Sequence, residues 1–135
     1  MDDRSQPFLL RPESIGNDPD SFNAAAALLD ASLAPDAREA RGPAVKRILN
    51  GHSAEFITMT YAPGQVLTQH KAAHPVTIQC LEGQVNLMVD DTIYELVPGR
   101  VAHLKPMTLH EVACPDDAPA RNVLLLTMLT AAAGS

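Results

Sequence analysis

The run Val76-Thr77-Ile78-Gln79-Cys80-Leu81-Glu82-Gly83-Gln84-Val85-Asn86-Leu87-Met88-Val89-Asp90-Asp91 alternates apolar and polar residues in steps of two and breaks at Glu82-Gly83 and Asp90-Asp91. A period of two puts Val76, Ile78 and Cys80 on one face of a strand and Thr77 and Gln79 on the other. The spacing predicts that the first three face a core. The same grammar extends in both directions. Upstream, Ser53 to Tyr61 is β-rich and stops at Pro63-Gly64; downstream, Thr92 to Val97 stops at Pro98-Gly99. Val101 to Leu104 and Leu109 to Ala113 follow, separated by Pro106. Val123 to Leu129 is apolar on both faces, which predicts a central strand. Strand and turn signals recurring this often indicate an all-β sandwich or barrel.

The remainder of the chain has a different character. Residues 1–20 are polar and interrupted by Pro7, Pro12 and Pro19, as expected of an extended arm. Ser21 to Leu33 holds an alanine run with Phe22, Ala25, Leu29 and Leu33 at helical spacing, and Pro35 stops it. That pattern predicts a short helix lying on something larger, since it is too short to be stable alone. The expected organisation is an arm and helix over residues 1–43, a barrel over 44–130 and a tail over 131–135.

Composition narrows the function classes. Of 135 residues 46% are hydrophobic, so a packed core is expected and wholesale disorder is excluded. Sixteen acids against ten Lys and Arg give a net charge of −6, the wrong sign for a nucleic-acid binder or an anionic-membrane surface protein. Aromatic residues are scarce and Trp is absent, which speaks against a base-stacking platform. No apolar run approaches the ~20 residues that span a bilayer. Met-Asp-Asp-Arg at the start lacks the basic and apolar regions of a secretory signal. Cys80 and Cys114 make no disulfide framework. A soluble cytoplasmic domain is the expectation, with a small-molecule ligand as partner and neither nucleic acid nor membrane.

Four of the five histidines, His70, His74, His103 and His110, lie between positions 70 and 110. Gly64 is followed by five residues and His70, Gly83 closes the next strand, and Gly99 is followed by ten residues and His110. In this register the sequence resembles the cupins over about residues 44–130. Their first motif, Gly-five-His-one-His-three-or-four-Glu-six-Gly, falls on Gly64, His70 and Gly83, with Ala72 at the second histidine and Val76 at the glutamate. Their second, Gly-five-Pro-one-Gly-two-His-three-Asn, falls on Gly99 and His110, with Lys105, Met107 and Cys114 at the other positions.

The resemblance implies a cupin-type β-barrel or jelly roll. It also implies a divalent ion held by motif side chains, of which only His70 and His110 carry over. Functional sites usually supply three or four protein ligands, and His74 is the nearest replacement. On a straight strand His74 would lie about 13 Å from His70, so sharing an ion requires a bend at Lys71-Ala72-Ala73; otherwise His74 is a rim residue. The expected metal set is therefore His70, His74 and His110, and the expected pocket lining is Val76, Ile78, Cys80, His103 and Met107. His103, within Val101-Ala102-His103-Leu104, is expected to be partly buried, and His52, after Asn50-Gly51, to be a surface loop residue.

Imidazole ligands suit Zn, Ni, Fe or Cu and not Mg or Ca. Two function classes follow. One is a metal- or small-molecule-binding cupin with dioxygenase or isomerase chemistry. The other is a metal-free binding, sensor or scaffold domain. The sequence assigns no catalytic residue. Relatives of this kind pair, so a homodimer is expected.

Overall fold

The computed structural model describes residues 26–130. They form β1 (Ala44–Asn50), β2 (Ala54–Tyr61), β3 (Val66–His70), β4 (Val76–Glu82), β5 (Val85–Val89), β6 (Thr92–Leu96), β7 (Val101–Leu104), β8 (His110–Ala113) and β9 (Asn122–Leu129). These build two antiparallel sheets, one in the order β1-β2-β9-β4-β7 and the other β3-β8-β5-β6. Neighbours far apart in sequence, such as β2 with β9 and β3 with β8, give the jelly-roll topology that the strand pattern and motif register predicted.

The core lies between the sheets. In β4, Val76, Ile78 and Cys80 are buried while Thr77 and Gln79 are only partly covered, so the period-two reading holds. They meet Leu87 and Val85 of β5, Val112 of β8 and Leu124 and Leu126 of β9. Strand β9 is central in its sheet, as its two apolar faces required. Leu124 and Leu126 serve the main core, whereas Leu125 points outward and packs with Leu33 and Ile48 in a second cluster.

That second cluster corrects the helix expected over residues 21–33. Residues 21–25 lie outside the described residues. From Ala26 to Thr130 the chain is non-helical except for one 3-10 turn at Ala31–Leu33, whose first residues are capped by Asp30. Nucleating an isolated helix is costly, and Pro35 ends this one after a single turn. The turn instead places Leu33 on the outer face of the larger sheet. Arg121 holds it there: its guanidinium donates to the carbonyls of Ala31, Ala34 and Pro35 and pairs with Glu82 at 3.4 Å. Gln65 secures the next segment, donating from Nε2 to the carbonyls of Arg38 and Ala40 and accepting from the Ala62 N–H. The Val66 N–H bonds the Arg41 carbonyl. The arm thus covers the β3 side of the sandwich. Among the described residues no arm segment crosses the opposite side, between edge strands β6 and β7, and those two strands do not pair with each other. Among the described residues no helix is long and apolar enough to cross a membrane.

Candidate functional site

His70 and His110 sit directly opposite each other on β3 and β8. A bulge puts them there. From Leu67 to His70 the β3 chain takes three steps, while from Val112 to His110 the paired β8 chain takes two. On a regular strand Leu67 and His70 would face opposite sides. The extra residue turns His70 to the Leu67 side, where it meets His110. The ring centroids are 4.1 Å apart, tilted by 56°.

Both rings are oriented in the same way. His110 Nδ1 lies 2.9 Å from the Thr108 carbonyl oxygen, and His70 Nδ1 lies 3.0 Å from that of Thr68. A carbonyl only accepts, so each Nδ1 carries a proton, and a ring in its neutral form then has its lone pair at Nε2. His110 is buried, and its Nε2 has no hydrogen-bond partner. Burial pushes its pKa below the usual imidazole value, against the Thr108 carbonyl, which favours the charged form; the neighbouring His70 lowers it further. The neutral, ligating form is therefore the one present near pH 7.

The other expected ligand is not brought to this pair. The chain does bend at Ala73-His74, but His74 is exposed there. Among the described residues no three His, Cys, Asp or Glu side chains cluster so as to hold a metal ion. Ala72 and Val76, at the positions where the family motif has ligands, pack with the core. The residues present thus fit two positions of an ion's shell and leave the rest open.

Next to the pair is a cleft of about 790 Å³ between β6 and β7. Its wall includes Leu87, Val89, Tyr94, Leu96, Leu104 and Thr108, whose carbonyl meets His110 Nδ1. The Met88–Glu111 pairing places Val89 one step from His110 on the neighbouring strand. This lining differs from the one expected. Val76, Ile78 and Cys80 are sealed in the core and do not reach the cleft. His103 does line it but is exposed rather than partly buried, because Val76 and Ile78 pair opposite Leu104 and Ala102 and turn His103 outward on an edge strand. Met107 is 57% exposed in the loop before His110, its N–H bonded to the Ala72 carbonyl. His52 is exposed, as expected.

The cleft residues of β5 were accessible to sequence reasoning, since Val85, Leu87 and Val89 share a face. Those of β6 were not, because Thr92-Ile93-Tyr94-Glu95-Leu96 does not announce which face lies inward.

Comparison with known proteins agrees with this architecture. The Cupin domain family model matches residues 57–126, just over half of the chain. A cupin superfamily protein from Desulfitobacterium hafniense is similar in structure, with a TM-score of 0.64 at 20% identity, over 82% of this chain and 95% of its own. An RmlC-like cupin from Shewanella frigidimarina gives 0.61 at 18%, over 78% and 91%. KdgF from Halomonas sp. gives 0.58 at 16%, over 73% and 88%. At such identities the likeness speaks for the fold alone. No functionally curated protein matches. With the jelly-roll topology, the glycine and histidine register and the matched family model together, the chain belongs to the cupin family.

Proposed function

We propose that this cupin binds a small organic ligand in the barrel, with Nε2 of His70 and His110 as the polar contact and a divalent transition ion between the imidazoles and the ligand. The observation that carries this reading is the buried, unpartnered Nε2 of His110. A buried lone pair without a partner costs about 1–3 kcal/mol. It calls for a Lewis acid or a hydrogen-bond donor, not for an anion. The Nδ1–carbonyl contacts at both rings are the outer-shell arrangement that orients imidazole ligands. Two nitrogen donors suit Zn, Ni, Fe or Cu. When bound, such an ion supplies Lewis-acid polarisation or oxygen activation, and dioxygenase or isomerase chemistry belongs to this reading. His70 and His110 hold the ion, and the apolar walls of the cleft take the body of the ligand and exclude water. Two buried thiols not joined in a disulfide accord with a reducing, cytoplasmic setting.

Elemental analysis of the purified chain, with calorimetric titration of Zn²⁺ and Ni²⁺, tests the proposal. The expected result is about one ion per chain, lost in His110→Ala and in His70→Ala while both variants keep their far-ultraviolet circular dichroism. A wild-type chain that holds no more ion than His110→Ala overturns it. The second reading then takes its place: a metal-free module in which a hydroxyl or amine of the ligand donates directly to Nε2. The lack of a third ligand among the described residues supports that reading.

A further inference from the structure

Tyr94 is more open than its register requires. It pairs with Leu87, and residues directly opposite on antiparallel strands share a face. Leu87 is buried, and so is Leu96, two residues from Tyr94 on the same side of β6. Tyr94 therefore belongs to the inward face, yet it is 50% exposed. The gap between β6 and β7 is the reason. Ala102 and Leu104 share the inward face of β7 with their partners Ile78 and Val76, and they line the cleft opposite Tyr94 and Leu96. A half-open ring on the inner side of a barrel offers an apolar face to whatever enters.

The basic residues of the cleft are not equivalent. Arg100 precedes β7 and spends Nη1 on the Glu95 carbonyl at 3.1 Å. His103 is turned outward. Lys105 follows β7 at the end nearer the imidazoles, where Thr108 connects the two: its carbonyl meets His110 Nδ1, and its hydroxyl donates to the Lys105 carbonyl at 2.8 Å. The Lys105 ammonium has no hydrogen-bond or ion-pair partner among the described residues. The imidazole pair adds a demand of its own. Two neutral imidazoles bring no charge to a divalent ion, and among the described residues no carboxylate or thiol joins them as a third ligand. The balancing negative charge then has to arrive with the ligand.

We propose that the ligand of this cleft is an organic carboxylate with an aromatic body, selected by two positioning residues: Lys105, which takes the carboxylate together with the ion, and Tyr94, which takes the body. This rests on the imidazole-held ion proposed above and adds to it the class of ligand. Asp90, in the β5–β6 turn, lines the cleft as well. It would attract an ammonium, so a zwitterion is the competing class.

Calorimetric titration of the full chain tests the proposal. Zn²⁺ is titrated first without ligand, and the Zn²⁺-loaded and metal-free chains then receive 3-phenyllactate, lactate, phenylalanine and 3-phenylpropane-1,2-diol. Phenyllactate should bind at least about tenfold more tightly than lactate, which lacks the ring, and than the diol, which lacks the charge. Lys105→Gln should weaken phenyllactate by about fivefold or more and leave the ligand-free Zn²⁺ affinity unchanged. Tyr94→Ala should weaken phenyllactate by a similar factor and leave lactate unchanged. Phenyllactate should raise the Zn²⁺ affinity by the factor by which Zn²⁺ raises that of phenyllactate. A diol or phenylalanine that binds as tightly as phenyllactate, binding indifferent to Zn²⁺, or folded Lys105→Gln and Tyr94→Ala variants that bind as the wild type does would each overturn the proposal. A chain that takes up no Zn²⁺ in the first titration overturns the imidazole-held ion and this inference with it; Zn²⁺ uptake without preference for the carboxylate overturns this inference alone.

Discussion

Gly83 shows how closely one position can be constrained. It has φ +76, and a Cβ there would overlap Asn122 Oδ1 and lie 2.8 Å from the Arg121 carbonyl. Asn122 is fully buried: its Oδ1 accepts from the Gln84 N–H, and its Nδ2 donates to the carbonyls of Tyr61 and Pro119. Gly83→Ala forces this network apart and adds backbone strain, so a loss of at least about 3 kcal/mol is expected in chemical denaturation. A variant within 1 kcal/mol or so of wild type would contradict this account. Met107 is the converse case. It stands where the family motif has glycine, and its φ is +65. The left-handed conformation costs a side-chain-bearing residue about 1–2 kcal/mol, and glycine gives part of that back through its greater freedom in the unfolded chain. Met107→Gly should therefore stabilise by about 1 kcal/mol, seen as a raised melting temperature; an unchanged or lowered one would count against the strain argument. The motif mismatch at Met107 was plain in the sequence. That the backbone keeps the glycine conformation was not.

Among the elements, the 3-10 turn is tied to the sheet most extensively by Arg121, beside the Asp30 cap and the packing of Leu33. Arg121 donates to the carbonyls of Ala31, Ala34 and Pro35, of which Ala31 also accepts from the Ala34 N–H and Pro35 from the Thr60 hydroxyl. Arg121→Ala should cost about 1–3 kcal/mol and open the segment around residues 31–36 to proteolysis, whereas Arg121→Lys should recover only part of the loss because one ammonium cannot span three carbonyls. Equal protease resistance in wild type and Arg121→Ala would show that Leu33 packing alone holds the turn. The strands divide by how clearly they announced themselves. Strands β4 and β5 were legible because buried residues alternate with more open ones, and β9 because both of its faces are buried over its first five residues. Strand β1 was not, because a register shift between Arg47 and Leu49 breaks its alternation, and β3 was not, because of the shift between Leu67 and His70. A bulge erases the period that sequence reasoning depends on.

For the whole molecule, the buried thiols link the core to pH. Burial pushes the Cys114 thiol up to about 11, with the Gly64 N–H opposing and Cys80 and Asp116 adding to it. Cys80 and Tyr61 are raised for the same principal reason. An acid with a raised folded-state pKa is ionised first in the unfolded chain, so rising pH favours unfolding. Stability should be flat with respect to these groups below about pH 8 and fall between about 9 and 11, with a shallower fall in Cys114→Ala. Below that range both thiols stay protonated, and a disulfide reagent at pH 8 should modify them only after denaturation; fast reaction of the native chain would refute the buried-thiol picture.

Periodicity and turn residues were by themselves enough to indicate an all-β sandwich or barrel, its inward β4 face and its central last strand, and the resemblance to the cupin motifs added the jelly roll and His70 and His110 as candidates. These are local regularities, and local regularities are written in the order of residues. Tertiary structure alone decided the rest. The bulge that turns His70 toward His110, the exposure of His74 and His103, the extended arm in place of a helix and the open groove between β6 and β7 all depend on which strands become neighbours. That choice is made by contacts between residues distant in sequence, and no local pattern encodes it.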